Sequence, residues 1–290
     1  MDKPLSLGLF DSRYGRSGVR LLKLTRRGDR HEVKDLTVGV AFEGDFRASH
    51  TEGDNRNILP TDSMQNAVYA LARDHASGEI EAFALHLTRH FLDAHPHVSS
   101  ARVDITEHPW TRIEIAGRPA GHAFARAGVE RRTATVSRTR GEDDPTVLAG
   151  IEGLLLLRTR GAGFSGYRRD RYTTLEETDE RILAAELNAE WRYGWGEVPW
   201  GLHWRQVRQE ILSLFAEHES RSVLHTLYAM GRSILELCPP ILEIRLRLPS
   251  RPPRPVDLSP FGMENTDEVF VPTEEAQSLV EAVVRRDELG

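Results

Sequence analysis

Three stretches of the chain carry side chains able to bind and stack an anion. Thr61-Asp62-Ser63 follows Pro60 and opens a pattern in which Met64, Ala67, Val68 and Leu71 recur at three and four residues. Pro60 biases Leu59 away from helical geometry. Thr61 and Asp62 therefore fall at a helix start, where unpaired backbone N–H groups and the helix dipole favour negative charge. The same pattern also fits an ordinary Thr or Asp cap. Phe164 lies in Gly161-Ala162-Gly163-Phe164-Ser165-Gly166, where a glycine-rich flank leaves few local packing partners and can expose a ring face for stacking. A loop aromatic also serves as a core anchor. Arg181, two residues after Asp179, fits first a surface salt bridge to Glu177 or Asp179; its planar guanidinium is also able to offer two parallel donors to an anion.

Other candidate chemistry is thinner. His86 and His90 have the helical spacing of a metal pair, but no third ligand stands in register, so no metal is expected. His90, His95 and His97 crowd a helix end without ligand spacing. No glycine-rich phosphate loop of the dinucleotide or P-loop kind occurs. The single cysteine, Cys238, can form neither an internal disulfide nor a thiolate cage.

The elements that position these residues follow from periodicity. Residues 1–12 are expected to form a loose or interface-docked arm. Residues 19–24 and 31–46 alternate as two strands around a turn at Gly28. Helical patterns cover 62–75 and 80–94, with Phe83, Leu87, His90 and Phe91 on one side of the second. Residues 98–107 alternate again, and 112–115, a turn at Ala116-Gly117 and 120–138 supply more extended chain. Asp143-Asp144-Pro145 breaks the pattern. A strand at 146–159, a long loop at 160–180 and a strand at 181–191 (with a helical alternative from its alanines) come next. Helices at 204–215 and 222–237, a strand at 241–248, a short strand at 269–271 and a helical segment at 274–286 complete the order. Strand-strand-helix-helix-strand thus occurs twice. The predicted class is α+β, with two tandem halves at 1–142 and 143–290, antiparallel sheets and helices on one face.

Composition bounds the function. The chain has 290 residues, 39% hydrophobic and 28% charged, which suits a large folded core and excludes wholesale disorder. A net charge of −6 argues against a general nucleic-acid binder. No apolar run approaches the roughly 20 residues of a membrane span. The N-terminus lacks a secretory pattern, and the C-terminus is not a peroxisomal Ser-Lys-Leu address. With one cysteine, a cytoplasmic, reducing setting is expected.

The motifs in order resemble the urate oxidase (uricase) family. They are Arg13-Tyr14-Gly15 with Val19-Arg20; Thr61-Asp62-Ser63 with Asn66 and Tyr69; and His108-x-Trp110-Thr111-Arg112. Then come Gly166-Tyr167-x-Arg169-Asp170-x-Tyr172-Thr173-Thr174-Leu175, Arg181-Ile182-Leu183, Ser222-Val223, Thr226-Leu227-Tyr228, Leu248-Pro249 and Glu268-Val269-Phe270. The resemblance spans nearly the whole chain. It implies the tunnelling fold, in which two ββααββ-like halves per chain assemble into barrels between subunits, and a homotetramer with pockets at subunit interfaces. It also implies oxidation of a purine-like anion by O2 without a cofactor, the substrate itself supplying the electrons. By position, Thr61 matches the family's catalytic threonine and Asp62 its neighbouring ligand. Phe164 matches the stacking ring, Arg181 the substrate-binding arginine, and Val223 a residue that offers its backbone amide. From its own sequence context, Val223 fits a core valine at a helix start equally well.

Four positions depart from the family pattern. Arg16 stands where the family has a lysine that relays protons with the threonine. Arginine holds its proton in proteins, so Arg16 can stabilise charge but is a poor base. Leu224 replaces a glutamine that grips one edge of urate, and leucine supplies neither donor nor acceptor. Ser250 and Pro252 replace the asparagine and histidine of an Asn-x-His segment. Pro252 cannot shuttle a proton. The expectation is a changed pocket for a urate analogue or derivative, with urate itself as the alternative substrate and a catalytically silent scaffold as a third reading.

Overall fold

The computed structural model describes residues 8–194, 198–273 and 278–286. Contacts divide the chain into two compact units, Met1–Gly128 with Arg132–Leu148, and Val129–Arg131 with Ala149–Gly290.

In the first unit, β1 (Arg13–Arg27) and β2 (Arg30–Gly44) form a long hairpin. The short α1 (Arg47–Thr51), then α2 (Thr61–His75) and α3 (Ile80–Ala94), lead to β3 (Val98–Glu107). A small hairpin, β4 (Trp110–Ile115) and β5 (Arg118–Arg126), precedes β6 (Arg131–Thr139). The sheet runs β1-β2-β3-β6, antiparallel throughout. Period-two alternation on β2 buries Leu36, Val38, Val40 and Phe42 on one face. The helices cover that face with Met64, Val68, Phe83, Leu87 and Phe91, all fully buried, and the Phe42 and Phe91 rings meet edge-on at 5.0 Å. At Gly15 a Cβ would stand 2.0 Å from the Val40 carbonyl oxygen, so only glycine lets β1 approach β2 between Tyr14 and Arg16.

The motif residues Arg20, His108 and Trp110 serve architecture in this unit. They converge on Asp35, which is only 6% exposed. Its carboxylate accepts from Arg20, from Arg126 Nη1 at 2.8 Å and from Trp110 Nε1 at 3.1 Å. Its carbonyl accepts from the His108 N–H at 2.8 Å. Thr37 Oγ1 links Arg20 Nη1 and His108 Nε2, each at 2.7 Å. Arg112 donates to the carbonyls of Ala120, Gly121 and His31, so the same motif fastens the β4–β5 hairpin to β2.

Burial alone would raise the Asp35 pKa. The hydrogen bonds from Arg126 and Trp110, with the charges of Arg20 and His108, outweigh it and hold the carboxyl below its ordinary range. The folded pKa is thus below the unfolded one, so the stabilisation is complete above about pH 4 and is lost as pH falls through the folded value. Asp35→Asn is expected to cost about 2–3 kcal/mol near neutrality, because two arginines and an indole N–H lose their charged acceptor. Denaturation of both proteins should give a deficit that narrows in acid; an equal deficit at about pH 7 and about pH 3 would reject this assignment.

In the second unit, β7 (Thr146–Arg158) and β8 (Leu183–Tyr193) are followed by α4 (Trp200–Glu217), α5 (Val223–Leu237) and β9 (Ile241–Ser250). The short pair β10 (Arg254–Pro255) and β11 (Phe270–Val271) lies apart, and β12 (Ser278–Arg285) completes the sheet β7-β8-β9-β12. Leu187, Ile244 and Leu246 are buried on the strands, as are Val207, Ile211, Leu227, Met230 and Ile234 on the helices. Both units therefore run ββααββ, apart from the added β4–β5 hairpin and the short elements.

Two sequence expectations change. The helical alternative for 181–191 gives way to β8. The final segment, expected as a helix, is the strand β12: Val280, Ala282 and Val284 are half-buried in alternation, and β12 pairs with β9, setting Ala282 opposite Leu246 and Val284 opposite Ile244. Pairing along β9 and packing under α5 override the helix propensity of its Glu and Ala. Gly231 on α5 permits the close approach, since a Cβ there would stand 2.5 Å from the Val284 side chain. Residues 1–7 of the expected arm, and 274–277, lie outside the described residues. No helix among the described residues is long and apolar enough to cross a membrane.

Candidate active site

The first unit presents Thr61 and Asp62 at the start of α2. The cap residue is Pro60, which has no side chain able to bond back. Thr61 is thus the first helical residue. Its hydroxyl makes no hydrogen bond within the described residues, which removes the reading of Thr61 or Asp62 as an ordinary cap. The Ser63 and Met64 N–H groups both turn to the Pro60 carbonyl, at 2.9 and 3.2 Å. Those of Thr61 and Asp62 have no acceptor among the described residues. Tyr14 fixes the approach to this turn: its Oη accepts the Leu59 N–H at 2.8 Å, and its ring packs edge-on to Phe46 at 4.7 Å and Phe42 at 6.0 Å. Burial raises the Tyr14 phenol pKa, opposed by the Leu59 bond, so it stays neutral. Arg16, two residues on, points to the same face of β1 by alternation. It is half-buried, its Nε is buried without a hydrogen-bond partner, and no carboxylate pairs with it among the described residues.

The second unit gathers Phe164, Arg181 and Val223. The long loop before β8 is pinned by backbone bonds from Gly163 N to the Ser220 carbonyl at 2.8 Å, and between Phe164 and Thr178 in both directions at 2.7 and 3.2 Å. This sets the Phe164 loop beside the chain that enters α5. The Arg181 guanidinium lies 5.5 Å from the Phe164 ring centroid. It forms no salt bridge with Glu177 or Asp179, and Nε is buried with no partner. Burial lowers its pKa, but a guanidinium remains charged. The expected scarcity of partners around Phe164 is corrected: Tyr167, three residues on, stacks against it at 4.8 Å and 14°. Its phenol is held by the Leu175 carbonyl, which folds the loop back over the ring.

At α5, the Ser222 hydroxyl accepts the His225 N–H at 3.1 Å. The N–H groups of Val223 and Leu224 have no acceptor among the described residues. The Val223 side chain is 8% exposed and belongs to the core, whereas Leu224 is 60% exposed. The Val223 side chain therefore packs inward with the core, and its amide is left without an acceptor among the described residues. Ser250 ends β9 opposite Ala185, and the next residue, Arg251, donates its N–H to the Ala184 carbonyl at 2.7 Å. Pro252 offers only its carbonyl, which accepts from Thr273 Oγ1 at 2.8 Å. Thr61, Asp62 and Arg16 thus lie in one unit, and the other six candidate positions in the other.

Sequence reasoning missed Tyr14 as a support for Leu59, although it stood in a quoted motif, and Tyr167 as the partner of Phe164. It also missed a polar cluster of His218, Ser220, His225 and Thr226 at the start of α5, whose only signal was its density of hydroxyl and imidazole groups. The His86–His90 pair gains a neighbour, since His75 stacks on His86 at 3.5 Å. Among the described residues, however, no group of three His, Cys, Asp or Glu could hold a metal ion.

Known proteins place this architecture. The crystal structure of uricase from Arthrobacter globiformis matches with a TM-score of 0.91 at 40% identity, covering 98% of this chain and 96% of that one. The protein is therefore an α+β enzyme of the tunnelling fold. The uricase family model matches residues 12–137 and 147–281. The curated Arthrobacter globiformis uricase is 41% identical over 96% of this chain and 90% of its own length, and the Aspergillus flavus uricase 33% identical over 96% and 97%. The chain belongs to the uricase family, and with that membership it is an oxidoreductase.

Proposed function

We propose that the protein uses O2, without a cofactor, to oxidise a flat purine-like anion, in a pocket that a neighbouring copy of the chain completes. The observation that carries this reading is the half-buried Arg181 guanidinium, unpaired within the described residues and set beside Phe164. An unpaired buried charge is costly, and an anionic ring stacked on Phe164 would relieve it with two parallel hydrogen bonds. The planar ligand meets the part of Phe164 that Tyr167 leaves uncovered. The free amides of Val223 and Leu224 add donors on the same unit. Thr61 and Asp62, from the neighbouring copy, bring further donors, and the Thr61 hydroxyl handles protons near the O2. Arg16 stabilises negative charge. Each ββααββ unit is one tunnelling-fold half, dividing near residue 142, and the working assembly is a cytoplasmic homotetramer.

Leu224 and Ser250 give the substrate an edge unlike that of urate, and Pro252 withdraws a proton relay. The favoured substrate is therefore a urate analogue or derivative with an apolar group, or a missing heteroatom, toward Leu224. A buried polar edge left unpaired there would cost about 1–3 kcal/mol. Ordinary oxidation of urate to 5-hydroxyisourate and hydrogen peroxide is the second reading, favoured by the curated uricases that match almost the whole chain.

Purified protein mixed with urate, and with urate derivatives carrying an alkyl group on one edge, tests both. Anaerobic calorimetry measures binding; oxygen uptake and peroxide release measure turnover. Expected are binding of urate with slow oxidation and faster oxidation of a derivative. Fast turnover of urate alone favours the second reading. Binding of every compound without oxygen uptake leaves a silent scaffold, and no binding at all rejects the site.

A further inference from the structure

We propose that His225, braced by His218, is the base that takes a ring proton from the bound heterocycle. The inference rests on the function just proposed, which needs a base that the departures from the family pattern have removed. Arg16 cannot release its proton at working pH, and Pro252 has none to exchange. The chain has three lysines, Lys3, Lys23 and Lys34. Lys23 donates to the Arg73 carbonyl and Lys34 pairs with Glu107, away from the candidate residues; Lys3 precedes the described residues. Cys238 is buried. Imidazole is the remaining side chain that exchanges protons near neutrality.

Three histidines lie in the second unit among the described residues. His203 is buried beside Tyr193 at 6.1 Å. The other two meet at the start of α5. His225 directly follows Leu224, is exposed, and its ring lies 4.6 Å from that of His218. His218 Nδ1 is 3.4 Å from Thr226 Oγ1, which donates to Ser220 Oγ at 2.8 Å. The Ser220 carbonyl accepts the N–H of Gly163, the residue before Phe164. A continuous chain of bonds and ring contacts therefore links the stacking loop to the imidazole pair. The charged groups around His218 are Arg158 from β7, whose Nη1 holds the His218 carbonyl at 2.6 Å, Glu219 on its own loop and His225 on α5. Burial, then His225 and Arg158, keep His218 below the ordinary imidazole range, opposed by Glu219. It therefore stays neutral and sets no positive charge beside the His225 ring.

In the step itself a ring N–H bond of the monoanion breaks and an imidazole nitrogen of His225 takes the proton. The electron pair stays on the heterocycle, and the resulting dianion gives up electrons to O2.

His225→Gln keeps a polar side chain suited to the third helical position. Anaerobic urate binding, followed by calorimetry in buffers of different ionisation heat, counts protons exchanged with the medium. The native protein is expected to show a count that varies with pH, and His225→Gln one that does not. With any compound that is turned over, His225→Gln should lower kcat about 100-fold with KM within about threefold, and lose the acid limb of the kcat profile. His218→Gln should shift that limb with a smaller loss. An unchanged proton count in His225→Gln overturns the assignment even where urate is bound but not oxidised. Failure of the native protein to bind urate or its derivatives overturns the proposed function, and this inference with it.

Discussion

Replacing Arg16, Leu224, Ser250 and Pro252 together by Lys, Gln, Asn and His is expected to raise urate oxidation by about 10²–10⁴-fold, the range a positioned acid or base supplies. Each change restores a named capability. Lysine can release a proton to Thr61 where Arg16 cannot. Glutamine returns a donor and an acceptor to the urate edge, at a position exposed enough that the core is untouched. Asparagine extends the reach of Ser250, and histidine gives back the exchangeable proton that Pro252 lacks. The Pro252 carbonyl bond to Thr273 is a backbone contact, so this loop should survive the exchange. Groups that act as one relay are strongly non-additive, and single reversions should each give little. Oxygen uptake with urate, beside a melting curve proving the variant folded, decides the matter. A folded quadruple variant with native activity would remove these four residues from the pocket.

Much of the scaffold was legible because its burial is periodic. The helix at 80–94 and the strand at 98–107 match their expected bounds, each having one clear apolar face. The last strand was not legible, since its short alternation is weaker than the helix propensity of the Glu and Ala around it. Only the presence of β9 as a pairing partner decides it. Asp35 was invisible for a related reason. Its partners Arg20, Trp110 and Arg126 lie 15, 75 and 91 residues away, and no local pattern reports a carboxylate that waits for three distant donors.

The candidate site was legible through family likeness far more than through local chemistry. From its own sequence context Arg181 fits a salt bridge with its acidic neighbours ahead of a ligand contact. Geometry removes the salt bridge among the described residues, because Glu177 and Asp179 leave the guanidinium unpaired and Ser165 instead reaches toward Asp179 at 3.4 Å. For Phe164 the sequence misled in the other direction. Glycines on both sides suggested an isolated ring, yet the turn they permit brings Tyr167 back against it. The α5 start joins both lessons: Val223 is a core residue by its side chain and a ligand candidate by its amide, a distinction that periodicity cannot draw.

Arg181→Met should separate binding from stability. Two charge-assisted hydrogen bonds to an anion, each about 1.5–3 kcal/mol, imply a loss of affinity on the order of 10²–10³-fold, after discounting for the water that replaces the guanidinium. Stability should not fall in parallel, because Arg181 has no acceptor to orphan among the described residues and burial already disfavours its charge. Removing it should leave the melting temperature unchanged or slightly higher. Arg181→Lys tests geometry apart from charge. Lysine keeps the cation but not the planar fork, so affinity should fall by an intermediate factor of about 10. Anaerobic calorimetry with urate and thermal melts of the three proteins supply both measurements. Native affinity in Arg181→Met would leave the flat anion without its principal anchor. A matching collapse in stability would instead assign Arg181 to the fold, and the pairing of loose energetics with tight binding is what distinguishes a ligand-seeking arginine from a structural one.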